Sequence, residues 1–174
     1  MGDVHSTLVR SKNMRAIRGR NTSPELSVRK LLFAKGFRYR LHVRDMPGSP
    51  DIVLKKRNTV VLVHGCFWHR HGCYRFKWPR TNKEFWAAKI EANVTRDERD
   101  LRLLIAAGWN VVCVWECALI GRLKWETDAL SDAIASSVLA GKTSPAYIQI
   151  EHCSEFSGAP AVIVMPIIAR QPIL

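Results

Sequence analysis

The sequence of 174 residues contains no apolar run long enough to cross a membrane as a helix. Its first fifteen residues, MGDVHSTLVRSKNMR, have no apolar segment of the kind found in secretory signals. Internal repeats and low-complexity segments are also absent, and 47% of the residues are hydrophobic, which argues against disorder. We therefore expect a single globular domain with one core and no membrane partner.

Acidic residues are scarce over the first two-thirds of the chain. Residues 1–125 carry 25 Lys and Arg against 10 Asp and Glu, whereas residues 126–174 carry 2 against 5, and the net charge is +12. Residues 9–20 are rich in Lys and Arg and contain no acid, so we expect residues 1–22 to form a basic arm that orders on a phosphate backbone. Nucleic acid is the expected partner ahead of an anionic membrane surface, because no basic helix has a clean apolar face.

Cysteine is present in an odd number, five, and its spacing favours a metal site over a disulfide framework. The stretch VVLVHGCFWHRHGCY (residues 60–74) ends an apolar run and then offers Cys66, His71 and Cys73 within eight residues. Cys117 follows a second apolar run and is the best candidate for the fourth ligand that a structural zinc needs. The alternative is a set of buried thiols with a hydrogen-bonded histidine. Reduced thiols are typical of the cytoplasm, where we expect this protein.

Two histidines of the same stretch, His64 and His69, are not needed by a zinc site. They suit proton transfer near neutral pH, or they are polar residues of a loop. Asp51 follows Pro50 at the start of a predicted strand, in a hairpin whose other arm ends at Val63. This is the strand layout of PD-(D/E)xK nucleases, in which a carboxylate at a strand end holds Mg²⁺. The acidic-x-Lys of those enzymes is missing from the next strand, and by pattern alone Asp51 is equally a turn residue.

The spacing of apolar residues predicts a series of helices and strands. Ser23 is the expected N-cap of the first helix, and residues 81–84 (TNKE) read as a capping box. The predicted elements are a helix ending at Gly36, strands over 37–43, 51–54, 59–63 and 109–115, and helices over 81–107 and 123–140. Residues 161–168 are a late edge strand or a docked tail. This order predicts a mixed α/β sheet with helices on both faces, in a domain over residues 23–140 with a tail of unknown role over 141–174.

Six segments between Arg10 and Gly121 carry a family resemblance: RSKNMRAI, PGSPDIV, VHGCFWHRHGCY, Phe85-Trp86, NVTRDERD and GWNVVCVWECAL. Together they resemble the very-short-patch mismatch repair endonucleases. Members of that family nick one DNA strand 5′ to the thymine of a T·G mismatch, which arises when 5-methylcytosine deaminates. The resemblance implies a restriction-endonuclease-like (PD-(D/E)xK) core with an inserted structural zinc site, catalytic Mg²⁺, and double-stranded DNA with a T·G mismatch as substrate. It also implies a monomer, an associated cytosine-5 DNA methyltransferase as a functional partner, and a bacterial-type, nucleoid-associated location.

The resemblance assigns chemistry to residues near the strand ends. Asp51 resembles the Mg²⁺ ligand, with the main-chain carbonyl of Val63 as a second ligand. His69 resembles the general base that activates water, Asp97 the carboxylate that orients it, and His64 the second histidine near the phosphate. The zinc set that it implies is the one that the spacing favours. On its own, Asp97 within RDERD would be read as part of a solvated helical face.

The resemblance also assigns residues to the surroundings of the metals and to the DNA. Glu25 resembles an acidic residue near the metals, although on its own it would be a helix-dipole residue. The expected DNA contacts are Phe67, Trp68 and Trp86 as a wedge between base pairs, Met14 from the other groove, and the arm cations Lys12 and Arg15. The alternative for the aromatic residues is an ordinary place in the core. Two other functions stay open: a restriction-type nuclease that cuts both strands of intact duplex, and a non-catalytic zinc module that binds DNA.

Overall fold

The computed structural model describes residues 19–140, 146–152 and 161–165. Within these ranges six strands form one sheet, and their order in the sheet is their order in the chain. The strands are β1 (Arg40–Leu41), β2 (Ile52–Leu54), β3 (Thr59–His64), β4 (Asn110–Trp115), β5 (Tyr147–Glu151) and β6 (Ala161–Met165). Strands β3, β4 and β5 run parallel, whereas the pairs β1–β2, β2–β3 and β5–β6 are antiparallel. The predicted mixed sheet is therefore confirmed.

Helices cover both faces of the sheet, as predicted. They are α1 (Ser23–Ala34), α2 (Lys83–Ala106), the short α3 (Glu116–Leu119) and α4 (Thr127–Ala140). Successive residues of β4 alternate between two buried clusters, one shared with α1 and α4 and the other shared with α2. Every residue of β4 is buried, which is the usual state of a parallel strand that is covered on both faces. Among the helices of the described ranges, none is long and apolar enough to span a membrane.

The predicted starts of α1 and α2 are wrong in detail. Thr22, not Ser23, is the N-cap of α1, and its hydroxyl oxygen accepts a hydrogen bond from the Glu25 backbone N–H (3.4 Å). The N-cap of α2 is Asn82, not Thr81; Asn82 is in a left-handed conformation (φ 51°) and its side chain makes no capping hydrogen bond. Helix α2 then continues unbroken for 24 residues. Residue types alone therefore located these two helices but not their caps.

The first strand is much shorter than its period-two pattern predicts. Instead of residues 37–43, only Arg40–Leu41 pair with β2, because His42 adopts a left-handed conformation (φ 46°) that ends the strand. The His42 backbone N–H still donates to the Asp51 carbonyl oxygen (3.3 Å), which keeps this loop beside the start of β2. Other boundaries shift less: β2 and β4 begin one residue later than predicted, α4 begins four residues later, and β3 extends one residue further.

The sheet continues after α4, where the sequence pattern is weak. Strand β5 was not predicted, although Tyr147, Ile148 and Ile150 are buried and β5 pairs in parallel with β4. Residues 161–165 form the edge strand β6, so the edge-strand interpretation of that segment is confirmed for these residues. The domain boundary predicted at residue 140 coincides with the end of α4. Beyond it, however, two more strands belong to the same sheet.

Candidate active site and metal cluster

A cleft of about 860 Å³ lies at one edge of the sheet, where β3 ends and β2 begins. Because β2 is antiparallel to β3, with Ile52 opposite Val61, the residue before β2 lies beside the last residues of β3. The loop after β3, the start of α1 and the middle of α2 complete the walls. The predicted site residues that line this cleft are Glu25, Asp51, Val63, His64, Phe67, Trp68, His69 and Asp97.

Asp51 is fixed at the mouth of the hairpin between β2 and β3. One of its carboxylate oxygens accepts a hydrogen bond from the Val63 backbone N–H at 2.8 Å, and the side chain is only 20% exposed. Burial raises the pKa of Asp51 to about 6; the Val63 N–H opposes this shift, and the nearby Glu25 carboxylate adds to it. A carboxylate that is costly to ionise in this position is stabilised by a cation bound against it.

Glu25 is held by its neighbours rather than exposed at the helix end. Its side chain is buried and accepts hydrogen bonds from the Asn21 backbone N–H (2.9 Å), the Thr22 hydroxyl (3.1 Å) and the Arg29 guanidinium (2.8 Å). Glu25, His42 and Asp51 each have one possible ligand atom, and these three atoms all lie within 4.8 Å of one another. Glu25 is therefore part of the acidic wall of the cleft.

His42, which was not predicted as a site residue, completes this wall. The Arg29 guanidinium donates to His42 Nε2 at 2.9 Å, so the ring proton is on Nδ1, which lies 4.0 Å from an Asp51 carboxylate oxygen. Burial lowers the pKa of His42 and so favours the neutral ring; the Glu25 carboxylate opposes this shift. The sequence offered no signal for His42 beyond its place in a basic segment.

The second group in the cleft joins His69, His64 and Asp97. His69 Nδ1 and an Asp97 carboxylate oxygen are in direct hydrogen-bond contact. The His64 ring stacks on His69, with centroids 3.9 Å apart and planes 4° apart. A carboxylate on Nδ1 fixes the tautomer of His69 with its lone pair on Nε2 and stabilises the ring when it becomes protonated. Because Asp97 is paired and only 23% exposed, it is not part of a merely solvated helical face.

The predicted zinc residues form a second site, buried on the side of the sheet that α2 covers. Ligand atoms of Cys66, His71, Cys73 and Cys117 all lie within 4.8 Å of one another, and all four residues are buried. His71 Nδ1 is 3.7 Å from the Cys66 sulfur and 3.5 Å from the Cys117 sulfur. Tetrahedral zinc with ordinary bond lengths separates sulfur and nitrogen ligands by about 3.6 Å. The cluster therefore has the size and donor set of a structural zinc site.

The electrostatics of this cluster also fit a cation. Contact with the Cys117 thiol and burial raise the pKa of the Cys66 thiol, so that ionising it there is unfavourable without an added positive charge. Burial disfavours protonation of His71, but its contacts with Cys66 and Glu151 outweigh burial and raise the pKa of His71 to about 9. A divalent cation bound to thiolates and a neutral imidazole supplies the missing positive charge.

Residues outside the predicted set hold the cluster in position. His71 Nε2 lies 2.6 Å from a Glu151 carboxylate oxygen, and the His71 ring stacks on Trp115 with centroids 4.0 Å apart. The Trp115 indole N–H donates to the Gln149 side chain at 2.9 Å. Glu116 accepts a hydrogen bond from the Cys66 backbone N–H at 3.1 Å. Strand β5, which the sequence did not reveal, therefore supplies two of these contacts.

Three aromatic side chains form a group beside the cleft. Phe67 contacts Trp68 and Trp86 edge-on at 5.2 and 5.3 Å between ring centroids, and the two Trp rings are 6.0 Å apart. All three are partly exposed, and they belong to neither of the two buried clusters of the described residues. The Lys89 ammonium lies 5.5 Å from the Trp68 ring centroid. Phe67 and Trp68 are thus available at the cleft surface, while Met14, Lys12 and Arg15 lie outside the described residues.

Fold and site together define a mixed α/β protein with a carboxylate–histidine cleft beside a buried cluster of three cysteines and a histidine. The family model described as DNA mismatch endonuclease Vsr matches residues 2–75. Over 134 residues the chain is 48% identical to DNA mismatch endonuclease Vsr of Escherichia coli (strain K12), which covers 77% of this chain and 86% of that protein. The chain belongs to the Vsr family of DNA mismatch endonucleases.

Two further relatives carry the name of nicking enzymes. The chain is 50% identical over 106 residues to type II nicking enzyme V.XorIIP of Xanthomonas oryzae pv. oryzae, covering 61% of this chain and 78% of that one. It is 45% identical over 119 residues to type II nicking enzyme V.NmeAIP of Neisseria meningitidis serogroup A, covering 68% of this chain and 85% of that one. Membership of a DNA endonuclease family agrees with the resemblance that the sequence motifs carry.

Proposed function

We propose that this protein is a mismatch-specific DNA endonuclease that nicks one strand 5′ to the thymine of a T·G mismatch and so begins very-short-patch repair. The observation that carries the proposal is the cleft itself: in a chain of the Vsr family, Asp51 and the His69–Asp97 pair line one cavity at the sheet edge. Phosphodiester hydrolysis needs a group that accepts a proton from water and a positive charge at the phosphate. In this proposal His69 is the group that accepts the proton, and the Asp51 carboxylate holds a cation that supplies the positive charge.

Magnesium fits the acidic wall of the cleft. Mg²⁺ prefers oxygen ligands and commonly binds through one or two carboxylates, and the buried Asp51 carboxylate has the raised pKa that a cation would relieve. In this proposal Asp51 and the carbonyl oxygen of Val63 hold the ion, and Glu25 contributes to its surroundings through water. The bound ion would supply Lewis-acid stabilisation of the phosphate during hydrolysis.

His69, oriented by Asp97, is the proposed group for proton transfer. With Nδ1 bonded to Asp97, His69 presents the lone pair of Nε2 and accepts the proton of the attacking water. The water oxygen bonds to phosphorus as the bond to the 3′ oxygen breaks. The 3′ oxygen takes a proton from solvent water, so the products are a 3′-hydroxyl and a 5′-phosphate. His64, stacked on His69, is proposed to lie against the phosphate. Asp97 keeps the ring oriented and stabilises the imidazolium that forms.

Zinc in the Cys66, His71, Cys73 and Cys117 cluster is proposed as structural rather than catalytic. Four protein ligands leave no open position for water, which is the arrangement of structural sites. The cluster joins the loop after β3 to the start of α3, directly after β4. Because His69 belongs to the same loop, zinc would hold the base in position relative to the sheet.

Mismatch reading is proposed for the aromatic group. A T·G wobble pair stacks less well than a normal pair, so opening it costs less, and stacking of Phe67, Trp68 or Trp86 on the opened bases contributes roughly 1–3 kcal/mol per base. Unstacking a base step costs about a few kcal/mol, so the two effects are of similar size and a weak pair decides the balance. Met14 would enter from the other groove, while Lys12 and Arg15 would contact phosphates.

The remaining expectations follow from this function. A monomer acting on double-stranded DNA in the bacterial cytoplasm, at the nucleoid, would work beside a cytosine-5 DNA methyltransferase that creates the lesion-prone base. The two other candidate functions are a restriction-type nuclease and a non-catalytic DNA-binding module. The His69–Asp97 contact in the cleft speaks against the second of these, since DNA binding alone does not need it.

A nicking assay separates the three functions. Duplexes with and without a central T·G pair, labelled on either strand, are incubated with the protein in Mg²⁺ or in EDTA, with Asp51→Ala as the control variant. We expect a single nick 5′ to the mismatched thymine, only in Mg²⁺, and none with Asp51→Ala. Cleavage of both strands of both duplexes would instead indicate a restriction-type enzyme, and binding without cleavage would indicate a non-catalytic module.

A further inference from the structure

We propose that Glu151 of β5 is the positioning carboxylate of the metal cluster: it accepts the Nε2–H of His71 and thereby makes Nδ1 the metal-binding nitrogen. This inference rests on the zinc site proposed above. It gives a role to a residue of the C-terminal segment, whose function the sequence does not reveal.

The geometry of His71 divides its two nitrogens between two partners. Nδ1 faces the cluster, 3.7 Å from the Cys66 sulfur and 3.5 Å from the Cys117 sulfur. Nε2 points the other way and lies 2.6 Å from a Glu151 carboxylate oxygen. The side chains are 9% and 20% exposed, so water screens this contact only weakly. A neutral imidazole that donates from Nε2 must carry its lone pair on Nδ1, the nitrogen that a metal ligand needs.

Metal-binding histidines commonly donate their second ring N–H to a carboxylate, which fixes the ring and makes the ligand more basic. Removing such a partner typically weakens metal affinity by about 10- to 100-fold. The His71 ring is further restrained by its stack on Trp115, so rotation alone would not let it find another acceptor without losing that contact. We therefore expect loss of the Glu151 carboxylate to lower metal affinity, because the His71 ring cannot compensate by rotating.

The strand that carries Glu151 is built into the sheet. Strand β5 pairs in parallel with β4, and Gln149, two residues before Glu151, accepts the Trp115 indole N–H at 2.9 Å. Residues two apart on a strand point to the same face, so β5 places Glu151 against His71 and Gln149 against Trp115, which stacks on His71. Gln149 contacts Trp115 but is uncharged and does not replace the bond to His71. A variant at Gln149 therefore separates the effect of β5 packing from the effect of the Glu151 carboxylate.

The test compares zinc affinity in full-length wild-type protein and the isosteric variant Glu151→Gln by competition with a chromogenic chelator. Glu126→Gln, the same change at an exposed glutamate, is the matched control, and Gln149→Ala reports the effect of disturbing β5. We expect Glu151→Gln to weaken zinc binding by about 10- to 100-fold, Glu126→Gln to bind as wild type, and Gln149→Ala to lose less than Glu151→Gln.

A second measurement needs no variant. In ¹⁵N-labelled wild-type protein loaded with zinc, His71 should show a metal-bound Nδ1 and an Nε2–H proton that is hydrogen-bonded and slow to exchange. Ligation through Nε2 would overturn the inference, as would an unchanged affinity in Glu151→Gln or an equal loss in Gln149→Ala. Wild-type protein that binds no zinc would instead reject the zinc proposal itself, so the two failures are distinguishable.

Discussion

Two histidines of one loop, His69 and His71, each meet a carboxylate, and the two pairs have opposite chemical consequences. His69 contacts Asp97 through Nδ1 and directs Nε2 to an open cleft. His71 contacts Glu151 through Nε2 and directs Nδ1 to three buried thiols. The first arrangement suits a ring that exchanges a proton with water, and the second suits a ring that binds a metal. The carboxylate bonds to one ring nitrogen, and the surroundings of the other nitrogen determine the chemistry for which each pair is suited.

The difference extends to the walls around each ring. The side chains of the first pair are 19% and 23% exposed and border the cleft of about 860 Å³. The second ring is buried and packed against Trp115. The proposed catalytic histidine and the proposed zinc ligand thus lie two residues apart in one loop. If both proposals hold, a change at one pair should leave the other pair's function intact.

The largest expected effect concerns the metal cluster. Cys117→Ala removes one of four ligands, so we expect zinc to be lost and the thermal midpoint to fall together, because binding energy of structural zinc is folding energy. Elemental analysis and thermal denaturation measure both. Cys113→Ala is the matched control: Cys113 is buried in β4 but outside the ligand group, and this variant should keep about one zinc per chain. Full zinc content in Cys117→Ala would remove Cys117 from the ligand set.

The next effect concerns the orientation of the base. Asp97→Asn leaves the His69 ring in place but removes the charge that stabilises its protonated form. A hydrogen bond to a charged group contributes about 1.5–3 kcal/mol, so we expect single-turnover nicking to slow by roughly 10- to 150-fold, less than in His69→Ala. Zinc content should not change. A loss of zinc in Asp97→Asn would mean that the two pairs are not independent.

Burial of Asp51 in the acidic wall of the cleft predicts that the stability of the protein depends on pH when no Mg²⁺ is bound. Because burial raises the pKa of Asp51 to about 6, the folded state holds this proton more tightly than the unfolded chain. Stability should therefore fall as pH rises from about 4 to 6, by at most about 3 kcal/mol. Asp51→Asn cannot ionise and should lack this part of the fall. Identical pH profiles of the two proteins, measured by chemical denaturation in buffer without Mg²⁺ and without chelator, would contradict the burial argument.

The smallest expected effect concerns recognition. Trp68→Ala should weaken binding to T·G duplex by about 1–3 kcal/mol and leave homoduplex binding nearly unchanged, because stacking is used only where a pair opens. Phe33→Ala, an exposed aromatic of α1 outside the cleft, is the control. Lys12→Ala and Arg15→Ala should weaken both duplexes alike and reduce the salt dependence of binding. Equal losses on both duplexes for Trp68→Ala would mean that mismatch reading lies elsewhere.

The sequence predicted the parts of this molecule in which residue type and local pattern determine the outcome. Strands β3 and β4 are runs rich in valine, and the four residues predicted as zinc ligands come after them in the chain. The site residues Asp51, His69 and Asp97 were proposed from a family resemblance, and the fold brings them to one cleft.

What the sequence did not predict depends on tertiary contacts. Strand β5 alternates buried Ile residues with Gln149 and Glu151, whose polar side chains have partners only because β5 pairs with β4 beside Trp115 and His71. A polar pair in a short segment after a Gly resembles a loop when read alone. His42 was missed for a similar reason: its left-handed backbone and its contact with Arg29 are properties of the folded loop.

The most direct test of the division between the two pairs is the nicking rate of His69→Ala protein that has been shown to contain zinc. General-base catalysis typically contributes about 10²- to 10⁴-fold, so we predict a single-turnover rate on T·G duplex reduced by this factor. Zinc content and thermal midpoint should match wild type, and DNA affinity should be nearly unchanged. Nicking at the wild-type rate by zinc-loaded His69→Ala would contradict the assignment of the base and turn attention to His64.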